Sequence, residues 1–69
     1  MHAEKEGLTP RQLEVLKLVA GGATDRLVAY QLHCSSATTK HHLRAIYEKL
    51  GATCRVQAVV IAMKKGWIN

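Results

Sequence analysis

Sixty-nine residues carrying a net charge of +5 make one small domain, enough for a single limited core and no more. Cys34 and Cys54 are the only cysteines, too few for a disulfide scaffold, and are expected as reduced thiols packed like small apolar groups. No apolar run reaches membrane-spanning length and the opening MHAEKEG lacks the apolar segment of a secretion signal, so a soluble, cytoplasmic protein is expected. The charge is unevenly placed. Residues 1–39 set Lys5, Arg11, Lys17 and Arg26 against Glu4, Glu6, Glu14 and Asp25. Residues 40–69 set Lys40, Arg44, Lys49, Arg55, Lys64 and Lys65 against Glu48 alone. A basic half of this kind suits a nucleic-acid partner.

Residues 1–7 are polar and aperiodic, and read as a frayed terminus or linker remnant, with the domain proper at 8–69. Leu8-Thr9-Pro10-Arg11-Gln12 is a helix start: Thr9 at the N-cap, Pro10 at N1, and Gln12 at N3 to complete a capping box. The first helix is predicted to run to about Ala20, burying Val15, Leu16, Leu18, Val19 and Ala20, with Leu8 packing from outside the cap. Gly21-Gly22 ends it, because glycine takes the left-handed conformation of a helix end at little cost.

A second helix opens at Thr24 and ends near Leu32, with Leu27, Val28 and Leu32 as its apolar pattern. Its N3 position is Leu27, so its capping box is half missing. His33-Cys34-Ser35 forms the break; His33 stands where the turn requires positive φ, and Ser35 is the next N-cap. Thr39, Leu43, Ile46 and Leu50 follow at i, i+4, i+7 and i+11, one stripe that can pack on a core. The other side carries Lys40, His41, Arg44 and Glu48. Two helices joined by so tight a turn, the second presenting cations outward, read as a helix-turn-helix with a recognition helix over 36–49. Gly51 stops it.

The last helix starts around Thr53 or Cys54 and runs through VQAVVIAMKK toward Gly66. Apolar residues surround it. Ala58, Val59 and Ala62 form one stripe, and Val56, Val60, Met63 and Trp67 form another. The first can face the core, while the second needs a partner and is expected to be a dimer interface. The competing arrangement folds Trp67 and Ile68 back over the helix end onto the core. The expected fold is all-α: four helices, bundle-like, containing the helix-turn-helix.

With these elements in place, LTPRQLEVLKLVAGG, the helix-turn-helix, and KLGATCRVQAVVIAMKKGWI together resemble the LuxR-type (FixJ/NarL-type) bacterial DNA-binding domain. The resemblance spans Leu8 to Ile68, and its LTPR, KLG and R..A...A motifs are specific in combination. A sigma factor's promoter-reading helix-turn-helix shares three helices but is not expected to continue with KLGATCRVQAVVIAMKKG, and ranks second. The resemblance implies the output domain of a transcription regulator, or a stand-alone form, binding an inverted repeat of double-stranded DNA as a homodimer through the helix at 55–65. It places base-reading positions on Lys40, His41 and Arg44, and phosphate contacts on Ser35, Thr38, Lys49 and Arg55. Arg44 can donate two bonds to guanine O6 and N7, and Lys40 the same less rigidly. Expected partners are DNA, a second copy of the chain and RNA polymerase, with the bound form on the nucleoid. No membrane, small-molecule substrate or cofactor is expected.

Four residues depart from the family pattern. Leu27 replaces a glutamate, Leu13 puts an apolar side chain at a usually polar, exposed position, and Thr39 replaces a valine, adding a hydroxyl that can bond back to the i−4 carbonyl. His41 replaces a small apolar base-contacting residue. His42 is expected at the core edge. The set His33, Cys34, His41, His42 and Cys54 matches no zinc spacing, and adjacent helical histidines point about 100° apart, so no metal site is expected. No nucleophile–base set, phosphate loop or carboxylate pair suggests an enzyme. A second function class remains: an interaction module that uses the helix-four stripe to pair with a full-length regulator and titrate it.

Overall fold

The structure, a computed structural model, describes residues 7–68. Four helices follow in order: α1 (Pro10–Ala20), α2 (Asp25–Leu32), α3 (Ser36–Leu50) and α4 (Arg55–Lys64), with no strand among the described residues. The reading of residues 1–6 as a frayed terminus lies outside the described residues.

Local chemistry sets the boundaries. At α1 the capping box closes: Thr9 Oγ1 accepts from the Gln12 amide at 3.1 Å and Gln12 Oε1 accepts from the Thr9 amide at 3.0 Å. The left-handed residue after α1 is Gly22 (φ 98°), while Gly21 keeps φ −81°. α2 has only half of that start, Thr24 Oγ1 accepting from the Leu27 amide at 3.1 Å. His33 adopts φ 58°, the one non-glycine residue with positive φ among those described, and the Cys34 amide reaches back to the Ala29 carbonyl at 2.9 Å. Ser35 caps α3 through the Thr38 amide at 3.0 Å, and Gly51 (φ 69°) ends that helix.

The core gathers Leu8, Val15, Leu16, Val19, Val28, Leu43, Ile46, Ala58, Ala62 and Ile68. α3 packs against the other three helices, whereas no Cα of α2 comes within 8 Å of one in α4. α3, like α1, therefore reaches all three of its neighbours. Thr39 is fully buried on α3, its hydroxyl donating to the Ser35 carbonyl at 3.2 Å and lying 3.5 Å from Cys34 Sγ.

Several expectations change. Leu27 is 44% exposed, and Ala29 takes the second buried position of α2 beside Val28. Leu13, expected to be exposed, is half-buried against the core. Cys34 is half-buried but Cys54 is exposed, so only one thiol is packed as anticipated. α4 is one residue shorter than 55–65, with Lys65 as its C-cap. Beyond it Gly66 (φ 78°) turns the chain, the Trp67 amide bonds the Ala62 carbonyl at 3.0 Å, and Trp67 comes to rest half-buried on the core with Ile68. Trp67 therefore does not continue the exposed stripe of Val56, Val60 and Met63; the fold-back arrangement holds for it. The turn at Gly66 breaks the helical register that would have aligned it with Met63.

Candidate nucleic-acid interface

At about 100° per residue, Ala37, Lys40, His41, Arg44 and Glu48 fall within an arc of about 100° on α3, opposite Thr39, Leu43, Ile46 and Leu50. Burial agrees: the first set is exposed, and the second is buried or half-buried. Lys40 and Arg44 have no hydrogen bond or ion pair among the described residues and stand beside one hollow, lined also by Asp25, Leu43, Tyr47 and Arg55. His41 is exposed and His42 half-buried, their rings 6.4 Å apart and tilted by 58°.

The positions assigned to phosphate divide into two kinds. Ser35 and Thr38 stand exposed at the start of α3, where the Ser35 hydroxyl donates to Thr38 Oγ1 at 2.9 Å and also caps the helix. Lys49 and Arg55 are tied into the fold. The Lys49 ammonium donates to Gln12 Oε1 at 3.0 Å and to the Gly7 carbonyl, clamping the end of α3 to the entry of α1. The Arg55 guanidinium donates to the Ala23 carbonyl at 3.2 Å and to the Asp25 carboxylate, joining the first turns of α4 and α2. The hydrogen bond donated to the Asp25 carboxylate raises the Arg55 pKa above its usual value, against the opposing effect of burial. Arg55 shares the hollow with Lys40 and Arg44, whereas Lys49 lies about two and a half turns along α3 from Lys40 and about 180° around it.

Asp25 and Tyr47 were not singled out from the sequence. Asp25 is separated from Arg55 by 30 residues and Lys49 from Gln12 by 37, and no local pattern announces either pairing. Asp25 as the first residue of a helix reads as ordinary dipole compensation. Among the described residues no group of three or more His, Cys, Asp or Glu side chains could hold a metal ion. None of the described helices is long and apolar enough to cross a membrane. On α4, Val56, Val60 and Met63 remain 71%, 43% and 51% exposed.

Residues 6–62 match the family described as bacterial regulatory proteins, luxR family, a regulatory family and not an enzyme class. The chain is 46% identical over 59 residues to the transcriptional regulatory protein YdfI of Bacillus subtilis (strain 168), covering 86% of this chain and 28% of that protein. The solved transcription factor GerE superposes with a TM-score of 0.85 at 27% identity, over 90% of this chain and 92% of that one. The VqmA dimer of Vibrio cholerae, a LuxR-type receptor solved in the absence of its target DNA, gives a TM-score of 0.88 at 25% identity, over 94% of this chain and 30% of that one. The chain thus spans under a third of the length of YdfI. It belongs to the luxR family of bacterial regulatory proteins, as a helix-turn-helix DNA-binding domain of the transcription-regulator type.

Proposed function

We propose that this domain reads operator DNA in the major groove through the outward face of α3, as the output domain of a longer regulator or as a stand-alone form. The observation that carries the reading is the pair Lys40 and Arg44: exposed, free of partners among the described residues, and opposite the core-facing stripe of the same helix. A helix with its side chains is about 10–12 Å across, which fits a major groove about 12 Å wide. Arg44 then donates two bonds to guanine O6 and N7, Lys40 reaches a neighbouring base edge, and His41 reads beside them as donor or acceptor. Phosphate strands run along both sides of such a helix, with Arg55 on one flank and Lys49 on the other. Ser35, Thr38 and the first amides of α3 serve a phosphate at its start.

Val56, Val60 and Met63 supply the contact between two copies, with Trp67 at its border, and the operator is accordingly an inverted repeat. VqmA being a dimer supports that reading. The domain acts in the bacterial cytoplasm, on the nucleoid when bound, with RNA polymerase as its further partner. The same exposed stripe supports a second reading, pairing with a full-length regulator to titrate it.

The test is fluorescence anisotropy of duplexes enriched on this chain from a randomised pool, against random duplexes, at low and near-physiological salt. Base reading predicts a preference that survives the higher salt, and Arg44→Ala relaxes discrimination at one base position by about 1–3 kcal/mol. Equal, salt-erased binding to both duplexes rejects base reading and moves the titration reading forward.

A further inference from the structure

Three cations, a phenol and one carboxylate line the hollow beside the reading face: Lys40, Arg44, Arg55, Tyr47 and Asp25. On a surface facing a polyanion, simple electrostatics makes that carboxylate unfavourable. The geometry gives it the opposite role. We propose that Asp25 is a positioning residue for DNA binding that acts through Arg55, an inference that rests on the reading of Arg55 as a phosphate contact.

Arg55 is the first residue of α4, where the positive end of the helix dipole disfavours a cation, so its own helix gives no reason for its charge. Its reason lies across the hollow. Nη1 donates to the Ala23 carbonyl and Nη2 to Asp25 Oδ1. A guanidinium offers five N–H donors in a rigid planar fork, so two anchored bonds fix the plane and leave the other donors for a phosphate. Asp25 is held in turn as the first residue of α2, at the end of the helix that favours an anion. Since α2 and α4 have no Cα within 8 Å of each other, this pair is a direct link between their first turns. The carboxylate thereby orients the cation that flanks the reading face. Asp25→Asn replaces a charge-assisted bond with a weaker neutral one, so the phosphate must supply more of the ordering of the guanidinium, which weakens the contact.

The experiment measures affinity for the enriched duplex across salt concentrations for the parent chain, Asp25→Asn, Asp25→Glu, Arg55→Gln and the double variant Asp25→Asn/Arg55→Gln. Circular dichroism confirms folding of each at the assay temperature. Arg55→Gln is expected to flatten the salt slope by about one phosphate contact. Asp25→Asn is expected to weaken binding about fivefold and flatten the slope in the same direction, with Asp25→Glu recovering part of the loss. In the Arg55→Gln background the sign reverses: Asp25→Asn tightens binding, because only repulsion is then removed. A role confined to stability would lower the melting temperature without that reversal. Asp25→Asn that binds as well as or better than the parent overturns the positioning role while leaving Arg55 as a contact. An Arg55→Gln slope equal to the parent's removes the phosphate contact, and the inference with it.

Discussion

Lys49→Met separates two duties of one side chain. Methionine keeps the apolar stem and removes the ammonium, so the bonds to the Gly7 carbonyl and Gln12 Oε1 are lost together. Gln12 Oε1 still accepts from the Thr9 amide, and Gly7 is exposed, so no buried acceptor is stranded. The loss is therefore at the lower end for charged hydrogen bonds, about 1 kcal/mol, or about 4–8 °C in melting temperature for a domain of this size. As a phosphate contact, Lys49 adds about 0.9 to the slope of log affinity against log salt. Over a fourfold rise in salt the variant should then lose about 3.5-fold less affinity than the parent. Selected and random duplexes should weaken evenly at low salt, since a phosphate carries no sequence information. Thermal unfolding and salt-dependent anisotropy read the two duties independently. A lowered melting temperature with an unchanged slope would show that the ammonium serves the clamp alone; an unchanged melting temperature would show that the clamp contributes nothing.

Thr39→Val removes a fully buried hydroxyl whose acceptor, the Ser35 carbonyl, keeps its bond from the Thr39 amide at 3.0 Å. Relief of the buried polar group should outweigh the lost bond, raising stability by about 1 kcal/mol in urea unfolding and leaving DNA affinity unchanged. Leu27→Glu restores the reciprocal half of the α2 cap and removes an exposed leucine; a gain of about 0.5–1 kcal/mol is expected in the same assay. His33→Gly relieves a left-handed backbone at φ 58° and should gain about 0.5 kcal/mol, tempered by the greater freedom of glycine in the unfolded chain.

The helices were legible because their signals are local. Thr9 with Gln12, Ser35 with Thr38, and Gly51 announce boundaries within four residues, and the Thr39–Leu43–Ile46 spacing identifies the buried side of α3 without knowledge of its neighbours. The outward side, with Lys40, His41 and Arg44, follows as its complement. What the sequence hid depends on how helices cross. A side-chain pairing between Asp25 and Arg55, or between Lys49 and Gln12, exists only once the four helices have packed together. Trp67 was misplaced for a related reason: the helical wheel of α4 was extended through Gly66, where the backbone leaves the helix. Leu13 differs from its expected exposure because how wide an apolar arc a helix buries depends on how its neighbours cross it.

α3 packs against every other helix, as α1 does, and its opposite face carries no structural bond at Lys40 or Arg44. Its inward residues are constrained by three neighbours, and its outward residues by none. Substitutions on the outer arc can therefore accumulate at little thermodynamic cost and, on the proposed reading of that arc, each would alter which base pairs are favoured while the scaffold stays intact. A domain arranged in this way can diversify its targets in many small steps without passing through unfolded intermediates. The same arrangement makes damage asymmetric: a lesion at Leu43 or Ile46 would unfasten all four helices together, whereas one at Arg44 would redirect a folded protein.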